Sequence, residues 1–491
     1  MRKALKRKLH ISWILFWASL GVLAGIGLSS QRPVNISLAL VIFALSLLAI
    51  GAINLRGAAA ILVLTAGLIL GLARGSSVQA DLLAYQKYIG SEVVISGQVS
   101  EDVSTGPQGD QRLRLKNISI QPFQGRTLEN GQNLSGEVWV SAGDQSSIKR
   151  SDVVIVRGQL SKGFGSFPAA IYRADIKEVI RQDHADVARD VRDWFASKIR
   201  LSIGEPEASL GIGYLVGQRS TLPEDLVENL RILGLTHIVV ASGYNLTILV
   251  RFTRKGLAKI SKYLATISAL VLTLGFVMIT GFSPSMTRAG IITTLSLLAW
   301  YFGRNINPVV LLGFVAALTA MINPSYLWGD LGWYLSFTAF GGVIILSPLL
   351  IDYFWGDKKP NAIRQVVVET TSAQLLTLPI LALAFGQIAL LATFANTLIL
   401  PLIPFTMVLT FIAGVGAAII PSLAGAVGWP ADFVLSYMTT VVDRLSGVPI
   451  TTEEVNFTAL VAAAIYALII AWIFWLKHST KHDFRADNLV E

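Results

Sequence analysis

The run GLTHIVVASGYNLTILV, residues 234–250, places His237, Ser242, Gly243 and Asn245 inside an apolar stretch. On a helix His237, Ala241 and Asn245 fall on one stripe at i,i+4 spacing, with Ser242 beside it. An imidazole, a hydroxyl and an amide supply donors, acceptors and one titratable group, and Ser242-Gly243 permits close approach or local unwinding. Further polar side chains interrupt apolar runs at Arg288, Gln374, Gln387 and Asn396. Such groups are costly at membrane depth and face a bundle interior or an aqueous path. For Gln374 and Asn396, interhelical hydrogen bonding, worth about 0.6–2 kcal/mol per contact, weighs evenly with a functional use. The His237–Asn245 stripe favours a functional path.

Other chemistry is missing. There is no GxSxG, P-loop or HExxH run and no nucleophile–base pair, so the sequence predicts neither an enzyme nor a cofactor. Cysteine is absent, which removes disulfides and thiolate metal sites. Five histidines remain, and His478 and His482 read as parts of a solvated polar tail rather than a metal site. No metal is expected.

The elements that must position these residues are membrane helices. Of 491 residues, 53% are hydrophobic and 14% charged, and the mean hydropathy is +0.60. A helix needs about 20 largely apolar residues to cross a bilayer. Such stretches occur at 11–31, 34–53 and 58–74, and nine more are read between 234 and 476. The first is a retained anchor rather than a signal peptide, because no small-residue cleavage site follows it. Pro379, Pro401, Pro404 and Ser283-Pro284 are expected to interrupt spans, and Pro401 with Pro404 to break one.

Between about 76 and 185 the pattern changes to period two, in SEVVISGQVSED, DQRLRLKNISI, GEVWVSAG and DVVIVRGQLS. Five or so such strands suit an OB-like barrel. After it, Val187, Val191, Trp194, Phe195 and Ile199 predict an amphipathic interfacial helix. Thr221, Pro223 and Glu224 predict a helix start with a capping box. The segment 430–445 is also amphipathic and is expected on the outer surface or over an entrance.

The expected fold is thus a polytopic α-helical membrane protein of about 12 transmembrane helices with an inserted small all-β OB-like extracytoplasmic domain. The expected divisions are 1–75, an N-terminal three-helix segment; 76–185, the β domain; 186–233, interfacial helices; 234–478, the main membrane domain; and 479–491, a tail. The net charge of +9 reports orientation. MRKALKRKLH places the N-terminus in the cytoplasm, and three crossings put the β domain outside. Arg251, Arg254, Lys255, Lys259 and Lys262 then fall inside, as do Arg304, Lys358, Lys359, Arg364 and the tail.

At this point the residues resemble a known family. ENLRILGLTHIVVASGYNLTILV is similar to the signature of the ComEC family of competence DNA-uptake channels. The stretch from Ser283 to Phe337, with its Arg, GR turn, NP and LSF ending, resembles that family's next motif, and 373–404 resembles a third. The resemblance covers almost the whole chain. It implies import of single-stranded DNA across the cytoplasmic membrane during natural transformation. Two departures stand out: Asn245 replaces the family's second histidine, and Trp333-Tyr334 replaces its aromatic-Gln pair. A mechanism needing two titrating imidazoles is thereby disfavoured, while a hydrogen-bonding pair is not. The metallo-β-lactamase-like domain of many members has no counterpart up to Glu491, so second-strand degradation is assigned to a separate nuclease.

Implied partners are single-stranded DNA, the lipid bilayer, a periplasmic or surface DNA receptor, and a cytoplasmic motor or single-strand-binding protein. Moving one phosphate into a negative interior costs about 2.3 kcal/mol per 100 mV, so a passive pore lacking an ATPase motif needs outside drive. A DNA path calls for cations and stacking platforms: Arg288, Trp300, Trp333 and Tyr334, with Arg251, Arg254 and Lys255 at a cytoplasmic exit. The alternative is a secondary transporter of a small solute with a midplane polar site. It calls for internal repeats, and none is convincing here.

Overall fold

The computed structural model describes residues 10–31, 33–54, 57–106, 109–122, 131–143, 148–181, 186–218, 222–236, 243–304, 306–356, 360–448, 452–454 and 457–482. In chain order, helices α1 (Ile11–Ser29), α2 (Leu38–Asn54) and α3 (Gly57–Leu83) precede seven strands. These are β1 (Glu92–Val99), β2 (Ser104–Thr105), β3 (Gln111–Pro122), β4 (Gln132–Leu134), β5 (Val138–Ala142), β6 (Val153–Lys162) and β7 (Ala169–Ile180). Helices α4 (Val187–Ser202), α5 (Glu207–Val216), α6 (Glu224–Ile232), α7 (Gly243–Leu257), α8 (Lys262–Ile279) and α9 (Pro284–Tyr301) follow. Then come α10 (Pro308–Ile322), α11 (Ser325–Gly329), α12 (Leu331–Gly341), α13 (Ser347–Trp355) and α14 (Ala362–Phe385). The last helices are α15 (Ala392–Ile399), α16 (Ile403–Ile419), α17 (Ala424–Ser446) and α18 (Ala459–Thr480), with a short β8–β9 pair (Gln387–Ala389, Thr452–Glu454).

Seven helices among the described residues are long and apolar enough to cross a bilayer, and two shorter apolar helices accompany them. The chain is therefore a multi-pass α-helical membrane protein with a small β domain. These described helices do not by themselves reach twelve full spans. The expected spans 388–403 and 405–420 become an eight-residue α15, a 3-10 turn and α16. At Pro401 the α-helix passes through one 3-10 turn, Leu400–Leu402, but helical backbone runs on from Ala392 to Ile419. Pro379, by contrast, sits inside an uninterrupted α14. Thr221 lies outside the described residues, and α6 starts at Glu224 directly after Pro223.

Contacts divide the chain into two units, Met1–Asp186 with Val309–Trp333, and Val187–Pro308 with Tyr334–Glu491. In the first, α1 and α3 touch backbone to backbone. A Cβ on Gly21 or Gly25 would sit 2.1 or 2.2 Å from the carbonyl oxygens of Leu64 or Leu68. Gly67 and Gly71 answer them, each 2.2 Å from a carbonyl oxygen of α1. Both helices thus present Gly-xxx-Gly, the spacing that lets membrane helices pack without side chains between them. The Arg74 guanidinium donates to the Met321 and Ile322 carbonyls at 2.9 and 3.0 Å, satisfying the open end of α10.

The β domain closes on itself. The pairing order β1–β6–β7–β5–β3 returns to β1, and β5–β7 is the parallel pair. Alternation points Val93, Ile95, Leu113, Leu115, Val138, Val140, Val154, Val156 and Ile171 into a core where each is at most 1% exposed. Outward charged groups pair, Arg114 with Glu101 at 3.1 Å and Arg157 with Glu92 at 2.8 Å, and two buried ones do too, Arg150 with Asp186 at 2.7 Å and Asp152 with Arg181 at 3.2 Å. A hydrogen bond from Ser141, then the Arg112 guanidinium, holds the Asp110 carboxyl below its ordinary value. Burial, reinforced by Glu101, pushes Glu137 up.

In the second unit, α4, α5, α6, α16 and α17 enclose one apolar core. The expected apolar face of α4 is split. Ile199 is buried, whereas Val187, Val191 and Trp194 are exposed, and Arg189 and Arg192 turn inward. Helix α17 is two-faced: Ala431, Leu435, Met438 and Val442 are at most 1% exposed, while Trp429 and Phe433 are each 66% exposed. His482, in the polar tail, places its Nδ1 2.5 Å from an Asp352 carboxylate oxygen near the end of α13.

Candidate channel site in the second unit

His237 and Ser242 lie outside the described residues, so the stripe is seen from Gly243 onward. Gly243 opens α7, and a Cβ there would stand 3.0 Å from that of Ala289. The glycine thus lets α7 approach α9 one residue past Arg288. Asn245 is 1% exposed, and its Nδ2 donates to the Tyr214 carbonyl at 3.0 Å. Tyr214 stands in the last turn of α5, where carbonyls lack helical partners. The amide therefore locks α7 to α5, and an imidazole N–H can make the same donation.

Arg288 is 2% exposed and is among the largest fully buried side chains. Its guanidinium carbon stands 5.4 Å from the centre of the Phe337 ring. A charge at this depth is stable where aromatic faces and hydrogen bonds replace water. Phe337 did not figure among the expected site residues, although it ends the LSF run. Five residues on, the chain makes a π-helical turn at Gly342–Leu346. There a Cβ on Gly342 would lie 2.4 Å from the Ser372 carbonyl oxygen, so this helix and α14 are in close contact. Such turns re-aim helices and are frequent at functional sites.

A family model described as "Competence protein" matches residues 214–480, more than half of the chain. The chain belongs to the competence-protein family. The matched stretch begins at Tyr214 and contains Gly243, Asn245, Arg288 and Phe337. ComE operon protein 3 of Bacillus subtilis (strain 168) is 25% identical over 281 residues, 54% of this chain and 34% of that protein. The match thus spans about a third of that relative's length. No solved structure matches the chain.

Within the competence-type unit, α14 and α15 bring a second polar pair close. Thr393 donates to the Gln374 side chain, and Asn396, one turn after Thr393, is 4% exposed. The Asn396 side-chain oxygen has no hydrogen-bond partner among the described residues, and neither do those of Gln218, Ser296, Ser372 and Thr410. Buried polar atoms of this kind are normally satisfied by protein or water. Glu369 was also missed by the sequence reading. It is half-buried within α14, accepts from Gln365 at 2.8 Å, and lies in one electrostatic neighbourhood with Tyr244 and Arg251. Its signal was plain in retrospect: a carboxylate inside an apolar 24-residue helix.

The remaining expected residues are placed differently. Trp333 belongs to the first unit. It is 6% exposed, and its indole N–H donates to the Thr319 hydroxyl at 3.0 Å. Tyr334 is half-buried. Trp300 carries the Arg254 guanidinium at 5.1 Å and the Lys262 ammonium at 5.2 Å from its ring centre. Its face is therefore a seat for cations rather than a bare platform. Arg254 is buried, while Arg251 and Lys255 are exposed.

Proposed function

We propose that this chain forms the conduit through which single-stranded DNA crosses the cytoplasmic membrane in natural transformation. The observation that carries this reading is Arg288, a buried guanidinium stacked on Phe337 beside the α7–α9 contact, inside the family-matched stretch. A cation held in an apolar bundle offers each passing phosphate a charge-assisted contact, and the partner-less oxygens elsewhere in the same unit suit ordered water. His237, Ser242, Gly243 and Asn245 form the gate-like segment in this scheme, with Gln374 and Asn396 on the facing helices. Arg251 and Lys255 serve the exit, and Tyr334 with Phe337 supplies aromatic faces.

We infer further that the β domain is an OB-type barrel on the outer side, with both chain termini inside. The ring order and its parallel β5–β7 pair support the first inference, and the basic N-terminus and 251–262 loop support the second. Drive comes from a cytoplasmic motor or strand-binding protein, and delivery from a separate receptor and nuclease. Fluorescent DNA offered to cells lacking this gene should bind outside and fail to reach the cytoplasm. Undiminished arrival there would refute the proposal.

A further inference from the structure

Four aromatic side chains gather on the outside of the barrel. Trp139 stands outward on β5 between the inward Val138 and Val140, and Tyr172 follows the inward Ile171 on β7. Their ring centres lie 5.3 Å apart, Phe164 meets Trp139 at 5.5 Å, and Phe167 meets Phe164 at 5.5 Å. Phe164 and Tyr172 are 45% and 51% exposed. Single apolar side chains on a surface need no explanation, but a contiguous group of rings does. The group also ends abruptly: further along β7, Asp175 and Lys177 take the outward positions and pair with each other.

Apolar helices of the same unit fix the height of these rings. Gly75 of α3 packs against Ser29, the last residue of α1, and Arg74 meets the end of α10 at Ile322. Helices α1 and α10 thus end at one level, where Trp328 of α11 donates to the Ile26 carbonyl at 2.9 Å. A headgroup layer begins at such a level and is about 5–8 Å deep. The loop carrying Phe164 and Phe167 reaches down to it. Gly165 and Gly329, at the end of α11, approach so closely that a Cβ on either would stand within 3.1 Å of the other's carbonyl oxygen. We infer that Trp139, Phe164, Phe167 and Tyr172 seat the barrel in the headgroup layer of the leaflet on its own side. Trp and Tyr join an apolar body to a polar tip, which suits that boundary, and Lys162 and Arg173, both exposed beside the rings, reach its phosphates. A single DNA strand fits less well, because it calls for a cationic groove. Arg114, opposite Trp139 and over Phe167, is engaged by Glu101, and Arg112 by Asp110. Glu137, two residues before Trp139, adds a further carboxylate. This surface goes beyond the conduit reading and does not rest on it.

The chain has no cysteine, so a single nitroxide label reports its surroundings without interference. The test uses the full chain with Phe164→Cys, Tyr172→Cys or Lys177→Cys, labelled and reconstituted in vesicles of phosphatidylcholine and phosphatidylglycerol. A water-soluble nickel chelate should relax the labels at the first two sites at least about threefold less than at the third, while oxygen, which concentrates in lipid, relaxes them more. Phe164 lies in a loop and Tyr172 on a strand, so a distortion at one site leaves the other as a readout. Nickel access at both sites as high as at Lys177→Cys overturns the inference, because the rings then face water. So does shielding of both labels that appears only on adding an oligothymidylate, because the patch then binds nucleic acid.

Discussion

The β domain and the second membrane unit arrange polar groups in opposite senses. In the barrel the core is almost wholly aliphatic, and the arginines meet carboxylates whether outward, as at Arg114–Glu101 and Arg157–Glu92, or buried, as at Arg150–Asp186. In the membrane unit the exterior is apolar, and the interior holds Arg288, Asn245, Asn396, Ser372 and Thr410. A small barrel gains its stability from its core and needs nothing further. A bundle that buries polar atoms beyond those its own hydrogen bonds use gives up stability and is prepared for water or a ligand. On the proposed reading, one region is scaffold and the other path.

Substitutions should separate the two. Leu115→Ala empties part of the barrel core and should cost about 2–5 kcal/mol, read as a lower unfolding midpoint of the β domain. Transport should suffer only through loss of folded protein. Asn396→Leu, alike in branched shape and heavy-atom count though bulkier, removes a buried amide and should raise the stability of the bundle by about 1 kcal/mol while slowing DNA arrival in the cytoplasm. A more stable and equally active Asn396→Leu variant would break the contrast, since the polar interior would then be incidental. Glu137→Gln should have the smallest effect. The folded chain raises this carboxyl, so its share of stability is complete below the unfolded value near 4.3 and is lost as pH rises through the folded value. The variant should therefore gain on the natural protein as pH rises from about 4 to about 8, measured by thermal unfolding of the full chain. An advantage that shrinks over that range would show that Glu137 is held charged.

Much of the barrel was legible, because period-two alternation is local: the runs around Val93, Leu113, Val138 and Val154 became β1, β3, β5 and β6. Strand β7 was less visible. Arg173, at φ +54°, sits where the alternation slips, leaving Tyr172 and Arg173 both outward. Ring closure through β1–β3 is a long-range event that no periodicity encodes. In the membrane unit, Arg288 and Asn245 stood out as polar residues in apolar runs. Phe337 did not, since an aromatic in such a run looks like any other core residue until its partner is known. The inward turn of Arg189 and Arg192 on α4 was hidden for the opposite reason. Each arginine carries its own acid next in sequence, Asp190 and Asp193 at 2.8 and 3.0 Å, so the pair reads as surface.

The most direct measurement is complementation of a deletion strain with Arg288→Ala and Arg288→Lys, following labelled DNA into the cytoplasm at matched membrane levels of protein. Losing about 2–3 kcal/mol of desolvated cation contact corresponds to about 30–150-fold. The alanine variant should therefore bind DNA outside yet deliver it at a few per cent of normal or less, with the lysine variant between. An alanine variant that folds and delivers DNA at the natural rate would contradict the assignment of this bundle as the DNA path.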